Sequence, residues 1–183
     1  MKGISPVKWL SHHKYSRLTL SHRAVAWADS QVGIRESGTN KGRAVEAYQA
    51  VAGLGTGGGF PWCASFVYWC LIQAEADPRR LPERGKCAAV RSWATWSASH
   101  ARTGQVAKRG RLFYWLNADG TGHIGWCLGP SVLGIFRTIE GNTDGEGGAR
   151  EGDGVYKLTR TLAALRKKHK FGFIDLEGLS LDG

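Results

Sequence analysis

The sequence predicts one α+β domain, with helices from the first half of the chain packed on an antiparallel sheet formed by the second half. Up to Ser99, apolar residues recur at helical spacing, whereas after Arg111 short apolar stretches alternate with glycine-containing turns. In addition, 42% of the 183 residues are apolar and eight are Trp. That content excludes a disordered chain and is sufficient for the buried core of a single domain.

Four helices are predicted in the first half. The first has Ser21 as its N-cap and Gly33 as its stop, and the second covers residues 43–52. The third, residues 62–76, follows a glycine run and a proline and is apolar nearly all round, which places it at the centre of the domain. The fourth covers residues 88–99, with its Trp side chains facing inward.

Five strands are predicted in the second half, separated by turns rich in Gly, Asn, Asp and Pro. They cover residues 111–116, 123–128, 132–140, 155–159 and 171–176. Around this domain, which we expect to span residues 21–178, the sequence predicts a basic N-terminal arm at residues 1–20 and a short tail at residues 179–183.

The chain carries a formal charge of +10, which favours an anionic partner. Basic residues concentrate in the N-terminal arm, between Arg79 and Arg111, and around Arg166. A nucleic acid or an anionic cell envelope would satisfy this charge, and a solvated basic surface is an equal alternative for any one cluster. Charge alone therefore does not choose among these partners.

The N-terminal sequence has no recognisable secretion signal. Residues 1–23 are basic and lack an apolar block followed by a small-residue cleavage site. The longest apolar stretch, residues 62–72, is too short to span a bilayer. Cys63 and Cys70 on one helix would lie about 10.5 Å apart, beyond the reach of a disulfide. We therefore expect free thiols and synthesis in the cytoplasm without a signal peptide, so that action on a cell wall requires release or delivery.

Cys63 is the candidate nucleophile. It lies in the first turn of the predicted central helix, where unpaired backbone N–H groups and the helix dipole favour a thiolate. The dipole supplies about 0.3–1 kcal/mol, whereas full ionisation of an ordinary cysteine at neutral pH requires about 4 kcal/mol. A histidine must supply the remainder and can also carry the proton. A buried cysteine is more often structural than catalytic, and we assign Cys70 and Cys127 that way.

His123 is the partner that the pattern selects from six histidines. The other five lie in basic or polar stretches, whereas His123 opens an apolar strand with glycines nearby. The next strand ends in Glu140-Gly141-Asn142, and alternation places Glu140 and Asn142 on one face. Because a short turn joins the two strands, either side chain is a candidate to orient the imidazole.

The stretches PWCASFV, GHIGW and IEGN, in that order, resemble the CHAP amidase/endopeptidase domain, a papain-like relative of the NlpC/P60 group. The resemblance runs from about residue 24 to about residue 160. It implies a papain-like fold and cleavage of amide bonds in bacterial peptidoglycan. By this likeness Cys63 is the nucleophile and His123 is the general base and then the acid. Glu140 orients His123, and Asn142 assists that orientation or the oxyanion site, where the backbone N–H of Cys63 is a natural donor.

Two features depart from that family. The strand before the histidine strand often opens with Gly-Asp, and here that place is Gly110-Arg111. Some members bind calcium through acids around the nucleophile, but residues 54–74 contain no acid. The acidic loop at residues 144–154 lacks EF-hand spacing. Neither a metal nor a cofactor is therefore predicted.

The resemblance predicts a peptidoglycan hydrolase, either an N-acetylmuramoyl-L-alanine amidase or an endopeptidase. A bacteriolytic phage endolysin fits the chain, and so does a delivered antibacterial effector, which would need an immunity protein. The alternative is a basic nucleic-acid-binding protein with an inert buried cysteine, which predicts salt-dependent binding to DNA or RNA. We find no aromatic–basic stacking motif that supports this alternative.

Overall fold

The computed structural model describes residues 18–55, 57–145 and 152–180 and follows the predicted order of helices and strands. The helices are α1 (Leu20–Asp29), α2 (Arg43–Val51), α3 (Cys63–Gln73), α4 (Val90–Ser99) and α5 (Leu162–Arg166). The strands are β1 (Thr103–Gly104), β2 (Leu112–Leu116), β3 (Gly122–Cys127), β4 (Ile135–Thr143), β5 (Gly154–Thr161) and β6 (Lys170–Ile174). The α+β prediction is confirmed. Most of the predicted basic arm, up to residue 17, lies outside the described residues.

The strands form one antiparallel sheet in the order β1-β6-β2-β3-β4-β5. Side chains of β2 alternate between its two faces. Leu112 and Tyr114 belong to the main core with the helices, whereas Phe113 and Trp115 belong to a smaller apolar cluster that also includes Leu165 from α5. The sheet therefore has an apolar cluster on each face.

α3 occupies the centre of the domain, because a helix that is apolar on nearly every face has to be surrounded by other elements. It contacts α1, α2, β3 and β4. Phe66 and Leu71 of α3 are fully buried, which stabilises the fold by about 1.5–3 kcal/mol for each side chain. Tyr48 of α2 packs against Phe66, with ring centroids 5.3 Å apart. These contacts hold the start of α3 in a fixed position relative to the sheet.

Several helix boundaries differ from the predicted ones by a few residues, and two of these differences have a clear cause. α1 begins at Leu20, because Thr19 rather than Ser21 is the N-cap; the Thr19 hydroxyl accepts a hydrogen bond in the first turn, while Ser21 is buried inside the helix. α3 ends at Gln73 and does not continue to residue 76, because Glu75 adopts a left-handed φ of 66°. A left-handed residue ends the regular hydrogen-bonding pattern of a helix.

Strands β3 and β4 pair over a short stretch only. Trp126 lies opposite Ile139 and Cys127 lies opposite Thr138. Next to this stretch, the residues at the start of α3 pack against Gly141 of β4. This contact brings the first residue of α3 close to the sheet.

The described chain continues to pack on the domain after residue 178. Leu179 is buried, and Ser180 forms an isolated bridge with Ala76 after α3. Within the described ranges, no helix has the length and apolar character needed to cross a membrane.

Candidate active site

Cys63 is the first residue of α3 and a free, buried thiol that is 5% exposed. Trp62, immediately before it, donates its indole N–H to Glu36 Oε1 at 2.6 Å. Gln49 of α2 donates to the carbonyl oxygen of Phe60 at 2.7 Å. Two side chains from elsewhere in the chain therefore fix the segment that leads into Cys63.

His123 is fully buried on β3. Trp115 lies directly opposite on β2, and the two rings stack with centroids 5.9 Å apart and planes 29° apart. Phe113 forms a second wall, with its centroid 6.4 Å from that of the imidazole. Lys168 Nζ lies 4.0 Å from the centroid of the Trp115 ring, on which it forms a cation–π contact. These aromatic walls keep water away from the imidazole and strengthen its polar contacts.

Glu140 of β4 binds one nitrogen of the imidazole. His123 Nε2 donates to Glu140 Oε2 at 2.8 Å, because an ionised carboxylate can only accept. The other nitrogen, Nδ1, is buried and has no hydrogen bond of standard geometry within the described residues. The Cys63 side chain is the second group that interacts with the ring. Catalytic hydrogen bonds are often loosely aligned until substrate binds.

The protonation of this site follows from its charges. Burial alone lowers the pKa of His123, but the interactions of the ring with Cys63 and Glu140 outweigh it and raise the pKa to about 9. Burial likewise raises the pKa of Glu140, but hydrogen bonds from Arg160 and His123, together with their positive charges, lower it to about 2. Near neutral pH the site therefore contains an imidazolium bound to a carboxylate.

Asn142 occupies an irregular position in β4. The register between β4 and β5 shifts between Gly141 and Thr143, and Asn142 has a left-handed φ of 57°, so it is the extra residue of a β-bulge. The plain alternation from which we expected a face shared with Glu140 is therefore interrupted here. The Asn142 amide is buried, and neither Nδ2 nor Oδ1 has a hydrogen-bond partner among the described residues. The contact to the imidazole is made by Glu140, and a role of Asn142 at the oxyanion site stays a prediction.

Arg160 of β5 also belongs to this cluster and was missed by the sequence reasoning. Its Nε donates to Glu140 Oε1 at 2.8 Å and its Nη2 donates to Glu140 Oε2 at 2.5 Å. Its side chain is 16% exposed, compared with 0% for Glu140. The predicted strand, residues 155–159, stopped one residue before Arg160, which the structure includes in β5. The partner of this arginine could not be identified without the register of β4 against β5.

A cleft of about 350 Å³ opens at Cys63. Its walls include Phe60, Val90, Gly85 and Gly122. No charged side chain of the described chain lines it. Such a cleft suits a peptide segment with small, uncharged side chains better than a polyanion.

The other described histidines and cysteines lie outside this cluster. His22, His100 and His169 are exposed, and the two histidines of the basic arm lie outside the described residues. Cys70 and Cys127 are buried, and burial raises the pKa of both thiols. In the described part of the chain, no group of three or more His, Cys, Asp or Glu side chains is arranged to hold a metal ion.

A central helix that begins with cysteine and packs on an antiparallel sheet carrying histidine defines a papain-like α+β domain. Residues 55–142 match the family model of the CHAP domain. The resemblance to the CHAP domain is confirmed for these residues, and so is the papain-like fold expected from the sequence. The match includes all four predicted site residues, Cys63, His123, Glu140 and Asn142. A CHAP domain implies peptidoglycan hydrolysis in general. No curated protein and no solved structure matches the chain.

Proposed function

We propose that the chain hydrolyses an amide bond of peptidoglycan with Cys63 as nucleophile, His123 as general base and acid, and Glu140 as the group that orients His123. The observation that carries the proposal is that the two imidazole nitrogens of His123 have different surroundings. Nε2 is bound to Glu140 at 2.8 Å, whereas Nδ1 is buried without a standard hydrogen bond and is the nitrogen left for Cys63. A nucleophile, a base and an orienting carboxylate in this sequence of contacts support acyl transfer.

The first half of the reaction forms a thioester. In the reacting form of the site, the proton of the Cys63 thiol is on His123 Nδ1. The sulfur attacks the amide carbonyl carbon, and the carbonyl electron pair moves onto oxygen. The oxyanion then collapses, the C–N bond breaks, and the leaving nitrogen takes the proton from His123 Nδ1. The products are a free amine and an acyl-Cys63 thioester.

The second half consumes one water. His123, now neutral, takes a proton from water through Nδ1 while the water oxygen bonds to the thioester carbon. Breaking the C–S bond releases a carboxylic acid and restores the thiolate–imidazolium pair. The backbone N–H of Cys63, which lies at the start of α3, is the candidate donor to the oxyanion in both halves. The Asn142 amide is a candidate second donor, because both of its polar atoms are buried and unsatisfied within the described chain.

The cleft at Cys63 supports a peptide as the substrate. No charged side chain of the described chain lines it, and several of its lining residues are glycines, which fits the short stem or cross-bridge peptides of a bacterial wall. Both an amidase, which cuts between sugar and peptide, and an endopeptidase, which cuts within the peptide, are compatible with this cleft.

The test compares wild type with Cys63→Ala on purified peptidoglycan, measuring the release of new amino groups and identifying the fragments by mass spectrometry. We expect the variant to release none while it unfolds at a temperature similar to that of wild type. Cys70→Ala is the matched control, because it removes a buried thiol from the same helix, and it should keep its activity. Release by Cys63→Ala at the wild-type rate would overturn the proposal. The fragments themselves distinguish an amidase from an endopeptidase.

For the biological role we propose a lytic enzyme that is used as a phage endolysin or delivered as an antibacterial effector. The formal charge of +10 supports attraction to an anionic cell envelope. A delivered effector requires an immunity protein in the producing cell. Co-expression with the neighbouring genes separates the roles: protection from self-lysis by one neighbour indicates an effector, and a requirement for a holin indicates an endolysin.

A further inference from the structure

Arg160 forms a bidentate contact with the carboxylate of Glu140. Nε binds Oε1 at 2.8 Å and Nη2 binds Oε2 at 2.5 Å, so the planar guanidinium faces both carboxylate oxygens. A fork of this kind fixes the plane of a carboxylate, which a single contact does not. In the pairing of β4 with β5, Arg160 lies opposite Phe136 and not opposite Glu140. Glu140 is four residues further along β4. Its side chain therefore reaches along the sheet to make the contact.

The remaining contacts of Glu140 leave one direction for the imidazole. Oε1 also accepts from the Thr138 hydroxyl at 2.5 Å, and Oε2 accepts from His123 Nε2 at 2.8 Å. With Arg160 and Thr138 in place, the carboxylate cannot rotate without losing hydrogen bonds in a fully buried site. The orientation of His123, and with it the direction of Nδ1, depends on this fixed carboxylate.

Arg160 also balances the negative charge of Glu140. During catalysis His123 alternates between imidazolium and neutral imidazole. When it is neutral, Glu140 needs another cation in order to remain ionised while fully buried. Arginine stays protonated at every pH relevant to a protein. Arg160 therefore keeps the carboxylate charged at the steps in which His123 has given its proton away.

We infer that Arg160 is a positioning residue that acts through Glu140, holding the carboxylate both oriented and ionised so that His123 keeps a proton on Nδ1, next to Cys63, until the leaving nitrogen takes it. This inference rests on the proposed function for its catalytic meaning, but its direct consequence is the reactivity of Cys63, which can be measured without any substrate.

The test measures the rate at which iodoacetamide alkylates Cys63 as a function of pH, followed for the individual peptide by mass spectrometry. We compare wild type with two variants. Arg160→Gln removes both the positive charge and the bidentate contact to Glu140, whereas Arg160→Lys keeps the charge. Arg111→Gln is the matched control. Arg111 binds Asp175 Oδ2 through Nε at 3.0 Å and Nη2 at 2.6 Å, with a side chain that is 19% exposed, but it does not touch the cluster around His123.

The acid limb of the alkylation profile is the part in which the rate rises as the pH increases. For Arg160→Gln we expect this limb to move to higher pH by about 1–3 pH units, the range by which a neighbouring arginine changes the pKa of a carboxylate. The reason is that Glu140 without Arg160 takes up a proton more readily and stabilises the imidazolium less. Arg160→Lys should recover part of the change, and Arg111→Gln should show none. If Arg160→Gln does not fold, the same comparison is made between Arg160→Lys and Arg111→Lys.

An acid limb that stays at its wild-type position in the Arg160 variants overturns the inference, and so does an equal movement in the Arg111 control. Failure of the proposed function gives a different result. If wild type releases no amino groups from peptidoglycan while the alkylation profile still moves in Arg160→Gln, the role of Arg160 stands and the substrate is wrong.

Discussion

Gly141 lies directly against the ring of Trp62. A Cβ atom at position 141 would come within 2.7 Å of Trp62 Cζ3 and 2.8 Å of Phe66 Cδ1, which is closer than packed carbon atoms approach. The start of α3 can therefore pack this closely against β4 only because residue 141 has no side chain. The glycine between Glu140 and Asn142 is a condition for placing Cys63 beside the sheet.

Gly141→Ala should push the start of α3 away from the sheet and lower both stability and activity. Overpacking of this kind costs about 1–3 kcal/mol, and a displacement of about 1 Å at a catalytic group can cost about 100-fold in rate. Thermal unfolding and amino-group release from purified peptidoglycan measure the two effects. Gly129→Ala is the control, since a Cβ there meets nothing within 4 Å. Equal losses in both variants would contradict this role for Gly141.

The features that the sequence predicted correctly depend on local pattern. The apolar character of α3 and the helix-then-strand order are properties of neighbouring residues, and the short turn between β3 and β4 requires antiparallel pairing. That pairing places His123 and Glu140 on adjacent strands. The contact between them was expected on these grounds, although the choice between Glu140 and Asn142 was not.

The features that were missed depend on register and on single-residue conformation. Arg160 reaches Glu140 through the pairing of β4 with β5, which a sequence without coordinates does not give. The bulge at Asn142 is one residue in a left-handed conformation, and plain alternation cannot anticipate it. The N-cap error at Ser21 has the same origin, because Thr19 and Ser21 are both good capping residues and only packing chooses between them.

Glu140→Gln should reduce activity by a factor of about 10²–10⁴, because a neutral amide leaves the imidazole without its ionised partner. It should also destabilise the fold by about 3–5 kcal/mol, since Arg160 loses the anion of a buried pair. Steady-state hydrolysis and denaturant unfolding provide the two measurements. Glu177→Gln is the control: its pair with Lys108 is exposed, and such pairs contribute about 0–1 kcal/mol. A Glu140→Gln variant as active as this control would remove Glu140 from the site.

The stability of the fold should be greatest in mildly acidic solution. The pKa of His123 is raised from 6.5 to about 9, so its contribution is complete below pH 6.5 and is lost as the pH rises through 9. The pKa of Glu140 is lowered from 4.5 to about 2, so its contribution is complete above pH 4.5 and is lost as the pH falls through 2. Both contributions are present together between pH 4.5 and 6.5. Each amounts to a few kcal/mol, because a tenfold change in a proton-binding constant corresponds to about 1.4 kcal/mol.

Thermal unfolding between pH 2 and pH 10 tests this dependence. Wild type should lose stability on both sides of the window, and His123→Gln should lose much less between pH 6.5 and 9 because the titrating group is absent. A wild-type melting temperature that rises through that alkaline range would show that the imidazolium does not stabilise the native state.

Leu133→Asn should stabilise the protein, although it removes a large apolar side chain. Leu133 and Gly134 form the turn between β3 and β4, with φ values of 50° and 78° between the bridged residues Val132 and Ile135. Two left-handed residues make a type I′ turn, for which Asn-Gly is strongly preferred. Leu133 is 98% exposed, so its side chain contributes no burial to offset the steric cost of a left-handed conformation, about 1–2 kcal/mol. We expect an increase in melting temperature of about 2–4 °C. The control is Val106→Asn, at another exposed position that has no left-handed φ, and it should give no increase in melting temperature. An equal increase in this control would mean that the fold is stabilised by the loss of exposed apolar surface and not by the relief of strain in the turn.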